Sequence, residues 1–69
     1  MEHAIVKGFV RYTNRNPASE VIVILEKLNE DQQGIYLNYT LTNRRGEFCF
    51  FIPDKTCTYC IKVFDNHHI

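Results

Sequence analysis

No charge of either sign dominates this sequence. Eight basic residues meet eight acidic ones, for a formal charge of +0. That balance argues against nucleic acid as a partner, since nucleic-acid binders carry a basic excess or stripe. No run approaches the about 18 apolar residues of a membrane-spanning helix, so membrane insertion is not expected. The start, Met1-Glu2-His3-Ala4, lacks the basic segment and apolar stretch of a secretory signal. The expectation is therefore a cytoplasmic protein if the chain is full-length, and no compartment is assigned if it is a module of something larger. Cysteine is sparse and odd in number, three in all, which fits a reducing compartment better than a disulfide framework. There is no internal repeat and no low-complexity segment. With 69 residues the chain makes one domain, spanning 1–69. A domain of this size buries only about 60% of its unfolded surface and is marginal in stability.

What the sequence does have is period-two patterning. The stretch Thr42-Asn43-Arg44-Arg45-Gly46-Glu47-Phe48-Cys49-Phe50 reads as a turn running straight into a strand. Asn43 and Gly46 provide the turn chemistry, and Gly46 can take a positive φ without steric cost. Phe48, Phe50 and Ile52 recur at every second residue and so share one face. Four further strands are expected: Ala4 to Thr13, Glu20 to Leu28, Gly34 to Thr42 and Thr58 to Phe64. In the first, Val6 and Val10 are assigned to the core and Ile5, Lys7, Phe9 and Arg11 to the opposite face. Val21-Ile22-Val23-Ile24-Leu25 is apolar on both faces, and its β-branched run disfavours a helix. Ile35, Leu37, Tyr39 and Leu41 alternate with Tyr36, Asn38, Thr40 and Thr42, separating an inside from an outside. Tyr59, Ile61 and Val63 point one way. The last strand is expected to form a hairpin with Glu47 to Ile52. Short strands with closely spaced turns indicate an all-β fold, a small antiparallel sandwich or barrel.

Val6-Lys7-Gly8-Phe9-Val10, Asn16-Pro17-Ala18-Ser19-Glu20 with the apolar run that follows, the Thr42 to Phe50 stretch and Tyr59-Cys60-Ile61-Lys62-Val63 together resemble the carboxypeptidase regulatory-like domain. The resemblance covers nearly the whole chain. It implies a prealbumin-like (transthyretin-like) β-sandwich of about five to seven strands, related to the B-type repeats of collagen adhesins. It places Gly8 where a strand bends or another backbone comes close. The chain departs from that family in three places. Asn43 stands where Asp is common. Pro53-Asp54-Lys55-Thr56-Cys57 lacks the usual Pro-Gly. The sequence stops about where the family usually adds another strand, so the expectation is a sheet edge left unpaired or filled by something else.

The residues offer few catalytic candidates. Cys57-Thr58-Tyr59-Cys60 is a CxxC, but in an extended strand its α-carbons lie ~10 Å apart, beyond disulfide reach, and no helix N-terminus is expected to activate a thiol. Cys49, Cys57 and Cys60 with a histidine from His3, His67 or His68 are low-ranked zinc candidates; the simpler reading is that they pack as small apolar residues. A tight hairpin would make Cys49 and Cys60 cross-strand neighbours. Arg44-Arg45 with Arg11, Arg15 and Tyr12 is weighed as a nucleic-acid surface and set aside on net charge. The fold relatives that hydrolyse hydroxyisourate end in Tyr-Arg-Gly-Ser, whereas this chain ends Asp65-Asn66-His67-His68-Ile69, so that activity does not carry over. The adhesin-type isopeptide bond would need Lys7 and Asn66, and the acid motif is missing. No catalytic residue, metal or cofactor is assigned.

The strongest functional signal is a second apolar face. Phe9, Ile22, Ile24, Phe51 and Phe64, with Cys49 and Cys60, all point away from the expected core. An apolar patch above a few hundred Å² marks an interface. The expectation is a non-enzymatic structural or protein-interaction module that self-associates or packs on a larger partner, with Phe9, Ile22, Ile24, Phe51 and Phe64 at the interface. The alternatives are a carbohydrate- or ligand-binding accessory module using Tyr12, Tyr36 and Tyr39, and a cysteine-based metal or redox site.

Overall fold

The structure, a computed structural model, describes residues 4–65. Five strands follow in chain order: β1 (Ala4–Phe9), β2 (Ile22–Leu28), β3 (Gly34–Leu41), β4 (Glu47–Ile52) and β5 (Tyr59–Phe64). The fold is all-β, with no helix among the described residues. Every pairing is antiparallel. β1 pairs with β4 in one sheet, and β2 lies between β3 and β5 in the other.

β1 is shorter than the sequence pattern suggests. Its ladder closes at Val10, whose N–H still donates to the Gly46 carbonyl at 2.8 Å, because the Val10 carbonyl accepts the Ala18 N–H at 2.9 Å while the Gly46 N–H donates to the Asn43 carbonyl at 3.0 Å. Gly46 has φ 77°, and a Cβ there would strike the Val10 carbonyl. Glycine is required on both counts. Asn43 organises the rest of this turn. Its Oδ1 accepts the N–H groups of Arg45 at 2.9 Å and Glu47 at 3.0 Å, so the turn and strand start expected from the sequence are both present.

Val23 and Leu25 of β2 meet Phe50 and Ile52 of β4 in one buried cluster, with Val6, Val10, Phe48 and Tyr59 packed around it. Burial of each large apolar group contributes roughly 1.5–3 kcal/mol, so this cluster joins the two sheets. Gly8 lies opposite Phe48 in the β1–β4 register, and the Phe48 ring occupies the space a Cβ would fill. The close approach expected at Gly8 is therefore made by an aromatic ring, not by another backbone. An aromatic group covering a cross-strand glycine compensates for its missing side chain.

Two features differ from the sequence reading. β5 does not form a hairpin with β4; it pairs with β2, and the connection from Pro53 to Thr58 crosses from one sheet to the other. The second difference is the direction of β3. Directly opposed residues on neighbouring strands share a face. Tyr39 is opposite Ile24 and Leu41 opposite Ile22, while Thr40 is opposite the fully buried Val23. The Tyr39 and Leu41 end of β3's apolar series therefore faces outward, whereas Ile35, opposite Lys27 beyond the register shift, lies on the other side. A register shift at Leu25/Glu26 then brings Tyr36 to the same side, opposite Glu26. The reason for this inversion is width: two strands cannot cover three. The same deficit leaves Ile61 and Val63, aligned with Leu25 and Val23, at 36% and 46% exposure.

Candidate interaction surfaces

Each sheet carries its own outward apolar face. The single second face expected from the sequence is thus divided in two. On β1–β4, Ile5 and Phe51 are a directly opposed pair, and Phe9 stands opposite Glu47. All three apolar groups are more than half exposed. This face is interrupted by charge. Lys7 lies between Ile5 and Phe9, opposite Cys49, and the Arg11 guanidinium stacks 5.6 Å from the centre of the Phe9 ring. Such cation–π packing contributes about 0.5–1 kcal/mol at an exposed site.

On β3–β2–β5 the outward residues form continuous rows. Leu41, Ile22 and Phe64 align across the three strands, followed by Tyr39, Ile24 and Lys62, then Tyr36, Glu26 and Cys60. Tyr36, Tyr39, Leu41 and Phe64 are each half exposed or more, and Ile22, Ile24 and Cys60 are half-buried between them. The charged groups on this face close on each other: Lys62 Nζ lies 3.3 Å from Glu26 Oε1. Of the expected interface residues, Ile22, Ile24 and Phe64 fall on this face and Phe9 and Phe51 on the other. Tyr36, Tyr39 and Leu41, which sequence reasoning left out of the interface, belong with the first group. Their alternation along β3 was visible, but its direction was not. Ile5, beside Phe51, was assigned to the outward face with Phe9 but not counted among the interface residues.

The two surfaces approach at a cleft of about 450 Å³ whose walls include Phe9 from β1, Leu41 from β3, and Lys7, Asn43 and Glu47. Asn43 Nδ2 donates to Glu47 Oε1 at 2.8 Å across one side of it. Tyr36 and Tyr39 share the outer side of β3, whereas Tyr12 stands in the loop between β1 and β2.

The cysteines do not converge. Cys49 is opposite Lys7 on one sheet and Cys60 opposite Glu26 on the other, so the expected cross-strand proximity of these two is overturned by the strand pairing. Cys57 sits in the turn before β5, and all three thiols are free. Among the described residues no three His, Cys, Asp or Glu side chains are grouped to hold a metal. His3, Asn66, His67 and His68 lie outside the described residues. No helix among the described residues is long and apolar enough to cross a membrane.

The turn before β5 has a defined polar geometry. Asp54 accepts hydrogen bonds from the Thr56 hydroxyl at 2.5 Å, the Thr56 N–H at 3.0 Å and the Cys57 thiol at 3.5 Å. These bonds, led by the Thr56 hydroxyl, hold its carboxyl below the usual carboxylate range. The Tyr59 hydroxyl donates to the Asp54 carbonyl at 2.7 Å. Partial burial first, then the neighbouring Cys57 and Asp54 charges, push the Tyr59 phenol above its ordinary value. These bonds fix the loop that carries the chain between sheets. Comparison with protein-family models, with curated proteins and with solved structures returned no match to this chain.

Proposed function

We propose that this chain is a non-enzymatic protein-interaction module of β-sandwich architecture, prealbumin-like and related to the carboxypeptidase regulatory-like domains, whose outward sheet surface is covered by protein. The observation that carries this reading is the row of large apolar side chains on an outer sheet face, with Tyr39 at 57%, Leu41 at 50% and Phe64 at 51% exposure. A domain of this size gains little from such residues while they face water, since uncovered apolar surface of a few hundred Å² is the mark of an interaction site. Polar groups support the same reading. The cleft residues Asn43 and Glu47 satisfy each other rather than presenting a nucleophile beside a base. The two-strand and three-strand sheets also leave edge strands with unpaired backbone groups, a second route to pairing with another chain.

Light scattering coupled to size-exclusion chromatography tests this reading. The wild-type protein is expected at a mass above its single-chain 8.2 kDa. A double variant, Phe51→Glu with Tyr39→Glu, is expected to return to that mass with its β-type circular dichroism intact. A wild type that elutes as a single chain at high concentration, with the double variant indistinguishable from it, contradicts the proposal.

A further inference from the structure

We infer that the occupant of the β3–β2–β5 outer face is a second copy of this chain, giving a two-fold dimer with these sheets packed face to face. The inference rests on the interaction-module reading and commits it to one face and one partner.

Area is the first argument. Taking about 200 Å² for a large side chain, the exposed parts of Tyr36, Tyr39, Leu41 and Phe64 supply roughly 450 Å². The partly exposed Ile22, Ile24, Leu28, Cys60 and the Lys62 stem bring the face to roughly 700 Å², within the range of about 600–1,000 Å² per partner of a specific interface. On the β1–β4 face the large side chains Ile5, Phe9 and Phe51 supply roughly 350 Å² against the roughly 450 Å² of the large side chains above, and Lys7 divides Ile5 from Phe9.

Charge is the second argument. β3 contributes no charged residue to the face, and Glu26 and Lys62 are closed at 3.3 Å within one chain. Covering the face therefore strands no lone charge, which is the costly event in an interface. A partner of opposite charge has little to read here, whereas an identical face meets no net repulsion because Glu26 and Lys62 balance each other on it. An isologous interface needs a patch that is complementary to itself. Ile22, Ile24, Leu41 and Phe64 supply an apolar part of the face, and the Glu26–Lys62 pair beside Ile24 is already closed within each copy, so the face can meet its own copy without an unmatched charge.

Sedimentation equilibrium on the wild type, Tyr39→Glu, Leu41→Lys and Phe51→Glu tests the inference, with circular dichroism confirming that each variant is folded. The wild type is expected as a dimer. Tyr39→Glu and Leu41→Lys, on the exposed side of an edge strand, are each expected to weaken it by about 100-fold or more, by burying an unpaired charge. Phe51→Glu is expected to leave the dissociation constant unchanged. If Phe51→Glu dissolves the dimer while the β3 variants do not, the inference falls and the interaction-module reading stands. A wild type that remains monomeric at millimolar concentration overturns both the second copy as occupant and, by the light-scattering criterion, the interaction-module reading.

Discussion

The hydroxyl of Thr42 is buried against the loop that enters β2, where it accepts the Val21 N–H at 3.0 Å and donates to the Ala18 carbonyl. Ala18 and Val21 are both 1% exposed, and Thr42 is 3% exposed. One side chain at the end of β3 thus satisfies two buried backbone groups 21 and 24 residues away in sequence. Replacing it with valine keeps the shape and leaves both groups unpaired. Thr42→Val is expected to destabilise the domain by about 2–4 kcal/mol, whereas Thr42→Ser retains the bonds and costs about 1 kcal/mol. Urea denaturation of both variants checks this. Equal losses would show that the hydroxyl is not what matters.

Asn43 makes one bond at this turn that Asp could not. Either side chain can accept the Arg45 and Glu47 N–H groups, but only the amide can also donate to Glu47 Oε1. Asn43→Asp is expected to cost about 1 kcal/mol at neutral pH. Urea denaturation of the variant beside the wild type checks this, and equal stability would show that the amide donor does not matter.

The Asp54–Tyr59 turn predicts opposite behaviour at the two ends of the pH scale. Asp54 has a lowered folded value, so its contribution is present above the ordinary 3.8 and is lost as pH falls through the folded value. Tyr59 has a raised folded value, so its contribution is complete below 10.0 and is lost as pH rises through the folded value. In a spectrophotometric titration a phenol signal should persist above the ordinary 10.0, and Tyr59→Phe should remove it. A high-pH signal that Tyr59→Phe leaves unchanged would contradict the packing described for this turn.

Much of the fold was legible because period two assigns faces directly. Val6 and Val10 were assigned to the core and pack against it, and Phe9, Phe51 and Phe64 were assigned outward and are exposed. The β4 boundaries, Glu47–Ile52, also match. Pairing was less legible, because alternation names a face and not a neighbour. The 53–58 connection contains a proline and a compact polar turn, which suit a hairpin and a sheet-to-sheet crossing equally well. The direction of β3 was hidden for a related reason. Its apolar series resembles a core face, and only the two-strand width of the opposite sheet turns Tyr39 and Leu41 outward. Thr42 was hidden because its role is a long-range hydrogen bond, which leaves no periodic trace. Tyr39 and Leu41 were not placed on the outward face, even though Ile22, Ile24 and Phe64, which align with them there, were.

The most direct measurement of the account is methyl NMR with a soluble paramagnetic probe, recorded across a range of protein concentrations. The methyls of Ile24 and Leu41 should lose their relaxation enhancement as concentration rises, while that of Ile5, on the other sheet, should keep it. Ile24 and Leu41 methyls that are as accessible in the most concentrated sample as in the most dilute would contradict the claim that protein covers this face.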